Sequence, residues 1–294
     1  MSIMTANTAN IINAIVNLLN NPIVDLKTIY IGKNRINNVG DALERYVQDL
    51  FINGFDLNDN IRNQKVSEHF SYLGNTSNPP DMMLKGDDAI EVKKIQSKNA
   101  ALALNSSHPK STLRADNPML TVSCKEAEAW QEKDMLYVVG VVGNECLTSL
   151  CFVYGVDYAA AHEVYETVKQ RIKSGVETIE GVEFHPTNEL GKIKRIDPLG
   201  ITNLRVRGMW HIENPFRVFE YVYQRNYDHQ FNFMTIINNK KWQSLDNRQD
   251  LIDKINTIET ANISDIHIKN PNNPAQLVSA KLIEFHIPVS EAKS

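Results

Sequence analysis

Asn78-Pro79-Pro80-Asp81-Met82-Met83-Leu84-Lys85-Gly86-Asp87-Asp88-Ala89-Ile90-Glu91-Val92-Lys93-Lys94-Ile95 reads as two short strands about a turn. Residues 81–84 form the first strand, Lys85-Gly86-Asp87-Asp88 has turn composition, and residues 89–95 form the second. Side chains alternate along a strand, so Glu91 and Lys93 share one face while Ile90 and Val92 share the other. The apolar face can rest on a helix layer, which turns the Glu/Lys face toward a cleft. Asp81, on the neighbouring strand, points to the same place if the hairpin register allows it. Two carboxylates so arranged repel each other unless a cation lies between them.

Mg²⁺ is the natural cation for such a pair, because it prefers hard oxygen ligands and keeps several waters. Asp81 and Glu91 are therefore candidate metal ligands. Lys93 cannot ligate a metal, but it can orient a water or offset charge on a phosphate. Phosphodiester hydrolysis needs this combination. The acidic pattern is short and by itself unspecific.

Working outward, the spacing predicts helices over residues 7–19 and 39–51. The second carries Val39, Leu43, Tyr46, Val47, Leu50 and Phe51 on one face, with Glu44 beside that stripe. A further helix up to about residue 104 is expected after the hairpin, then a polar loop over 105–110. Strands are expected at 135–142 and 147–154, followed by a helix at 158–172 with Val164, Val168 and Ile172 on one face. Strands are then expected at 204–212, 216–223 and 231–237, a polar helix at 245–255, a last strand at 281–287 and a frayed tail at 290–294.

The chain has 294 residues, 42% hydrophobic and 22% charged, with a net charge of −4. That balance is globular and excludes a surface coated in basic charge, though a cleft needs only a local basic lining. Cys124, Cys146 and Cys151 fit no zinc or disulfide spacing and read as reduced thiols of a cytoplasmic protein. The first residues lack a basic region and a cleavage site, so no signal peptide is expected, and no stretch is apolar enough for a membrane span. His108, His162, His185 and His211 show no paired metal spacing, and a His-Cys zinc site is not expected.

Asn78-Pro79-Pro80-Asp81 followed by Glu91-Val92-Lys93 resembles the catalytic signature of the PD-(D/E)xK nuclease superfamily. Longer stretches are similar to the NgoPII family of restriction endonucleases. They are Val39-Gly40-Asp41-Ala42-Leu43-Glu44-Arg45-Tyr46, Ala103-Leu104-Asn105-Ser106-Ser107, and the segment from Asp197-Pro198-Leu199-Gly200-Ile201 through Arg205-Val206-Arg207-Gly208-Met209-Trp210. Together they extend from about residue 10 to 225. The resemblance implies an α/β fold with a restriction-endonuclease-like mixed central sheet, flanked by helices and carrying additional C-terminal strands. It implies a single endonuclease domain over 1–294, with a catalytic core at about 36–175 and DNA-recognition and outer elements at about 176–289. The implied activity is Mg²⁺-dependent cleavage of double-stranded DNA within the palindrome GGCC. A two-fold site calls for a homodimer, and a cognate DNA methyltransferase is the implied functional partner.

On this resemblance Asp81, Glu91 and Lys93 match the catalytic triad. Glu44 matches a helix glutamate that some members use as an extra metal or water ligand; the alternative is a surface helix acid. Asn105, Ser106, Ser107 and Lys110 offer groups for DNA, the alternative being an ordinary capped loop. Arg205 and Arg207 alternate with Leu204, Val206 and Gly208, so they share a strand face from which an arginine fork can meet guanine; the alternatives are phosphate clamping or a solvated strand face. Trp210, Phe216, Phe219, Tyr221 and Tyr223 have a spacing that favours core packing over base stacking. The rival readings are a repair or structure-specific nuclease of the same superfamily, a catalytically inactive DNA-binding relative, and an α/β protein unrelated to DNA.

Overall fold

Alternation along the middle strands decides the layering. Ile90, Val92, Leu136, Val138, Phe152 and Phe233 enter one apolar cluster, while Tyr137, Val139, Cys151, Val153, Met234 and Ile236 enter a second. Strands apolar on both sides must be covered on both faces. A computed structural model describes residues 9–26, 30, 39–75, 78–143, 146–179, 183–185 and 190–289. In chain order it contains α1 (Ile11–Asn20), α2 (Val39–Ile52), α3 (Asp59–His69), β1 (Phe70–Asn75), β2 (Asn78–Leu84), β3 (Ala89–Ile95), β4 (Leu102–Ala103), β5 (Thr112–Arg114), α4 (Val122–Lys125), β6 (Glu132–Gly143) and β7 (Cys146–Tyr154). There follow α5 (Gly155–Tyr158), α6 (His162–Glu177), β8 (Glu183–His185), β9 (Gly191–Lys194), β10 (Leu204–Val206), β11 (His211–Ile212), α7 (Pro215–Val218), β12 (His229–Asn238), α8 (Asn239–Ser244), α9 (Arg248–Ile255), β13 (Ala261–Asn270) and β14 (Asn273–Pro288).

Among the described residues the central sheet runs β1-β2-β3-β6-β7-β12-β14-β13, with β5 beside β6. The β3–β6 and β7–β12 pairs are parallel and the remaining neighbours antiparallel. The expected α/β fold with a mixed sheet and added C-terminal strands is what the chain adopts. Buried residues of α1, α2, α8 and α9 cover one face, and Tyr158, Leu113, Phe216 and Phe219 help cover the other. A β-carbon on Gly140 would lie 2.6 Å from Leu43 Cδ2, so the glycine lets α2 rest directly on β6. A separate sheet, β8-β9-β10, and a two-stranded ribbon, β4-β11, stand apart from the central one.

Several expectations are corrected. No helix follows β3; the chain runs irregularly into β4, whose partner β11 lies far along the sequence. The segment expected as a strand at 216–223 instead opens with α7, because Pro215 suits the first helical position and Asn214 Oδ1 accepts from Phe216 N–H. The helix expected over 158–172 divides into α5 and α6. Val164, Val168 and Ile172, expected on one face of that helix, lie in α6 and are exposed. The strand expected over 204–212 is broken into β10 and β11. Helix α3 and strands β1, β8, β9 and β13 were not anticipated. The expected start of the first helix at residue 7 and the tail at 290–294 lie outside the described residues. Cys124, Cys146 and Cys151 are free thiols. Among the described residues no helix is long and apolar enough to cross a membrane.

Candidate active site

The β2–β3 hairpin is locked at its turn and open at its other end. At the turn, Lys133 Nζ donates to Leu84 O at 2.9 Å and to Asp87 O at 2.6 Å. Lys241 Nζ reaches Asp88 Oδ1 at 2.6 Å, and Tyr154 Oη donates to Asp88 Oδ2 at 2.7 Å. Register pairing between the two strands covers only Met82↔Ile90 and Met83↔Ala89. Beyond Met82 a side chain replaces the ladder: Asp81 Oδ2 accepts from Val92 N–H at 2.7 Å. That bond holds the Asp81 carboxylate against β3, beside the Glu91/Lys93 face. On its outer side β2 is approached closely by β1; a β-carbon at Gly74 would lie 2.3 Å from Pro80 O.

Glu91 is only 8% exposed. Its Oε1 accepts from Lys93 Nζ at 2.5 Å, whereas its Oε2 is buried with no hydrogen-bond partner. Burial, then the Glu91 charge, pushes the Asp81 carboxyl up to about 8. Burial works against the Lys93 charge, but Glu91, Asp81 and Glu44 outweigh it and hold the ammonium above its usual range. Glu44 enters the same field from α2: burial, then Asp41, raises its carboxyl, with Lys93 opposing and Glu91 adding. A close carboxylate pair with one buried oxygen unpartnered is a donor set suited to a hard divalent cation. The residues present therefore fit a divalent cation such as Mg²⁺, for which Asp81 and Glu91 offer the carboxylates.

Asp81, Glu91, Lys93, Asn105, Ser107 and Arg207 line one cleft of about 590 Å³, together with Ser106. The wall is built by backbone pairing. Leu104 N–H donates to Trp210 O at 2.8 Å and Trp210 N–H donates to Asn105 O at 2.7 Å, extending the β4–β11 ribbon. Asn105 itself has φ 51°, a left-handed conformation that asparagine tolerates. Sequence reading missed Asn78, Met119 and Met209 in this lining. Asn78 stands in the quoted motif and Met209 in the quoted segment that ends at Trp210; nothing in the sequence marked Met119.

Two of the candidate DNA-contacting residues sit differently. Lys110 is 5% exposed, and its Nζ donates to Ser107 Oγ at 2.7 Å and to His108 O at 3.2 Å. Burial pushes its ammonium down to about 8. Arg205 lies in β10 opposite Lys192, outside the cleft lining, and is exposed. Of the aromatics, Phe216, Phe219 and Tyr223 are buried, while Tyr221 is exposed. Trp210 packs its ring edge-on to His108.

No solved structure matches the chain. A Neisseria gonorrhoeae protein named type II restriction enzyme NgoPII is 56% identical over 281 residues, covering 95% of this chain and 100% of that protein. The family model described as NgoPII restriction endonuclease matches residues 9–269, which takes in the hairpin, the cleft wall and the β8–β10 sheet. With the match spanning most of its length, the chain belongs to the NgoPII restriction endonuclease family.

Proposed function

We propose that this type II restriction endonuclease hydrolyses double-stranded DNA at GGCC with Mg²⁺ held by Asp81 and Glu91. The observation that carries the metal reading is the buried, unpartnered Glu91 Oε2, in a residue whose charge acts on the Asp81 carboxylate. Polarisation of the phosphoryl oxygen and acidification of an attacking water are what such an ion supplies. Lys93, kept protonated by its acidic neighbours, orients that water or offsets charge building on the phosphate. Asn105, Ser106 and Ser107 meet DNA along the cleft wall, and Arg207 enters the same cleft to meet a base edge or a phosphate. Lys110, buried and bonded within its loop, shapes the wall instead of touching DNA. Glu44 adds negative charge to the field of the pair and tunes its affinity for the ion.

Within this reading all 294 residues act as one endonuclease unit. The hairpin and its flanking helices form the catalytic part, and the β8–β10 sheet belongs to the reading part. GGCC equals its own reverse complement, so two copies of the chain about a two-fold axis cut the two strands. The enzyme works in the cytoplasm beside a methyltransferase that protects the same site. Digestion of a plasmid of known sequence with Mg²⁺, followed by end sequencing, tests this. Discrete fragments ending at GGCC are expected. Ends at another sequence overturn the site, and nicking confined to branched DNA overturns the restriction reading.

A further inference from the structure

The loop that walls the cleft brings one ligand-type side chain, His108, up to two others on α6. His108 follows Ser107 directly and is 8% exposed. Its Nδ1 lies 2.8 Å from Pro109 O. A proton on Nδ1 donated to that carbonyl leaves Nε2 with its lone pair available. His162 and Glu166 are four residues apart at the start of α6 and so share one helix face. One ligand atom from each of His108, His162 and Glu166 lies within 4.8 Å of the other two.

The group is braced as ligands usually are. The Tyr165 ring stacks on His108 with centroids 5.2 Å apart, and Trp210 meets it edge-on at 6.1 Å. Gln170 Nε2 donates to Glu166 Oε1 at 2.5 Å and orients the carboxylate. Lys169 Nζ stands 3.8 Å from Glu166 Oε2, a long contact that leaves a lone pair on that oxygen. Burial, then Lys110, pushes His108 down to about 4. Burial opposes ionisation of Glu166, yet Gln170 and Lys169 hold it below the usual range. Beside the three lies a cavity of about 350 Å³ with room for a water.

We propose that His108, His162 and Glu166 form a transition-metal site, suited to Zn²⁺ with a water as fourth ligand, that clasps the cleft-wall loop to α6. Two imidazoles and one carboxylate are a ligand set zinc uses, whereas Mg²⁺ favours all-oxygen sites such as the Asp81/Glu91 pair. The sequence hid the group because the two histidines come from distant segments and the helical partner of His162 is a glutamate.

Full-length protein, stripped with chelator and titrated with Zn²⁺ in excess Mg²⁺, is expected to take up a stoichiometric ion. Co²⁺ in its place should give tetrahedral absorption bands. The Asp81→Ala variant should retain this uptake, which separates it from the catalytic pair. His162→Ala and Glu166→Gln should weaken it by roughly tenfold or more, and should lose the Zn²⁺-dependent rise in Tm. His162 is exposed and Glu166 half-buried, so both variants are expected to fold. Equal Zn²⁺ uptake by the wild type and His162→Ala, or uptake by neither, overturns the proposal.

Discussion

The Asp81 carboxylate does two things at once, because Oδ2 accepts from Val92 N–H while the group as a whole repels Glu91. Asp81→Asn separates them: the amide oxygen still accepts from Val92, so the hairpin closes, but the charge is gone. On the proposed mechanism Asp81→Asn and Lys93→Ala each lower plasmid cleavage by about a hundredfold or more. DNA binding supported by Ca²⁺, read by gel shift, should survive in both. Wild-type cleavage by either variant would remove that residue from the mechanism. The charges of this group were legible in the sequence, since strand alternation alone put Glu91 and Lys93 on one face. The burial of Lys110 was not: a lysine in a polar loop reads as exposed until Tyr137 Oη and Ser107 are seen to enclose its backbone and its ammonium.

At the scale of elements, α2 is clamped to α3 by a buried ion pair. Arg62 Nε lies 2.6 Å from Asp49 Oδ1, and the two residues are 4% and 2% exposed. Tyr30 Oη also donates to Asp49. Asp49→Ala strands a guanidinium in the interior and is expected to cost about 3–5 kcal/mol in urea unfolding. A second link joins α5 to β12, where Asn238 Nδ2 donates to Asp157 Oδ2 at 2.8 Å. Burial pushes Asp157 up to about 6, above its unfolded value, so its protonated form is the one the fold favours. That stability is complete below about pH 4 and is lost as pH rises through about 6. Asp157→Asn should therefore raise stability at pH 8 by about 1–3 kcal/mol and leave it nearly unchanged at pH 4. Thermal melts at the two pH values check this, and an equal change at both would contradict the assignment. Helix α2 and strands β6, β7 and β12 were readable because their apolar period is long and unbroken. The segment at 216–223 was not, because its aromatic spacing suits a strand while Pro215 and Asn214 start a helix. Helix α6 was readable as a helix from the spacing of 164, 168 and 172, but not its setting, since that apolar stripe faces solvent.

Over the whole molecule, the central sheet carries Asp81, Glu91 and Lys93, and a smaller sheet lies along the chain just before the cleft-lining residue Arg207. This arrangement separates the two arginines, which strand alternation alone puts on one face. Arg207 lines the cleft that holds Asp81 and Glu91, while Arg205 is opposite Lys192 in the smaller sheet. Arg207→Ala is thus expected to relax discrimination between GGCC and its one-base variants, by about 1–3 kcal/mol at one position. Arg205→Ala should instead weaken binding to all sequences and flatten its salt dependence. Cleavage rates on a panel of single-substitution sites, with binding at two salt concentrations, distinguish the two. Identical profiles would return them to one role.

The short ribbon of β4 and β11 is the only backbone ladder, among the described residues, that joins the loop after β3 to the segment after Arg207. Four residues from one half of the sequence and three from the other share it, so neither side can shift without dragging its partner. On the proposed reading, error and speed then become a single mechanical variable. A wrong base that displaces the 207–210 segment also pulls Asn105 and Ser107 out of line with the scissile phosphate. Natural drift toward a new recognition sequence would have to retune turnover in the same step.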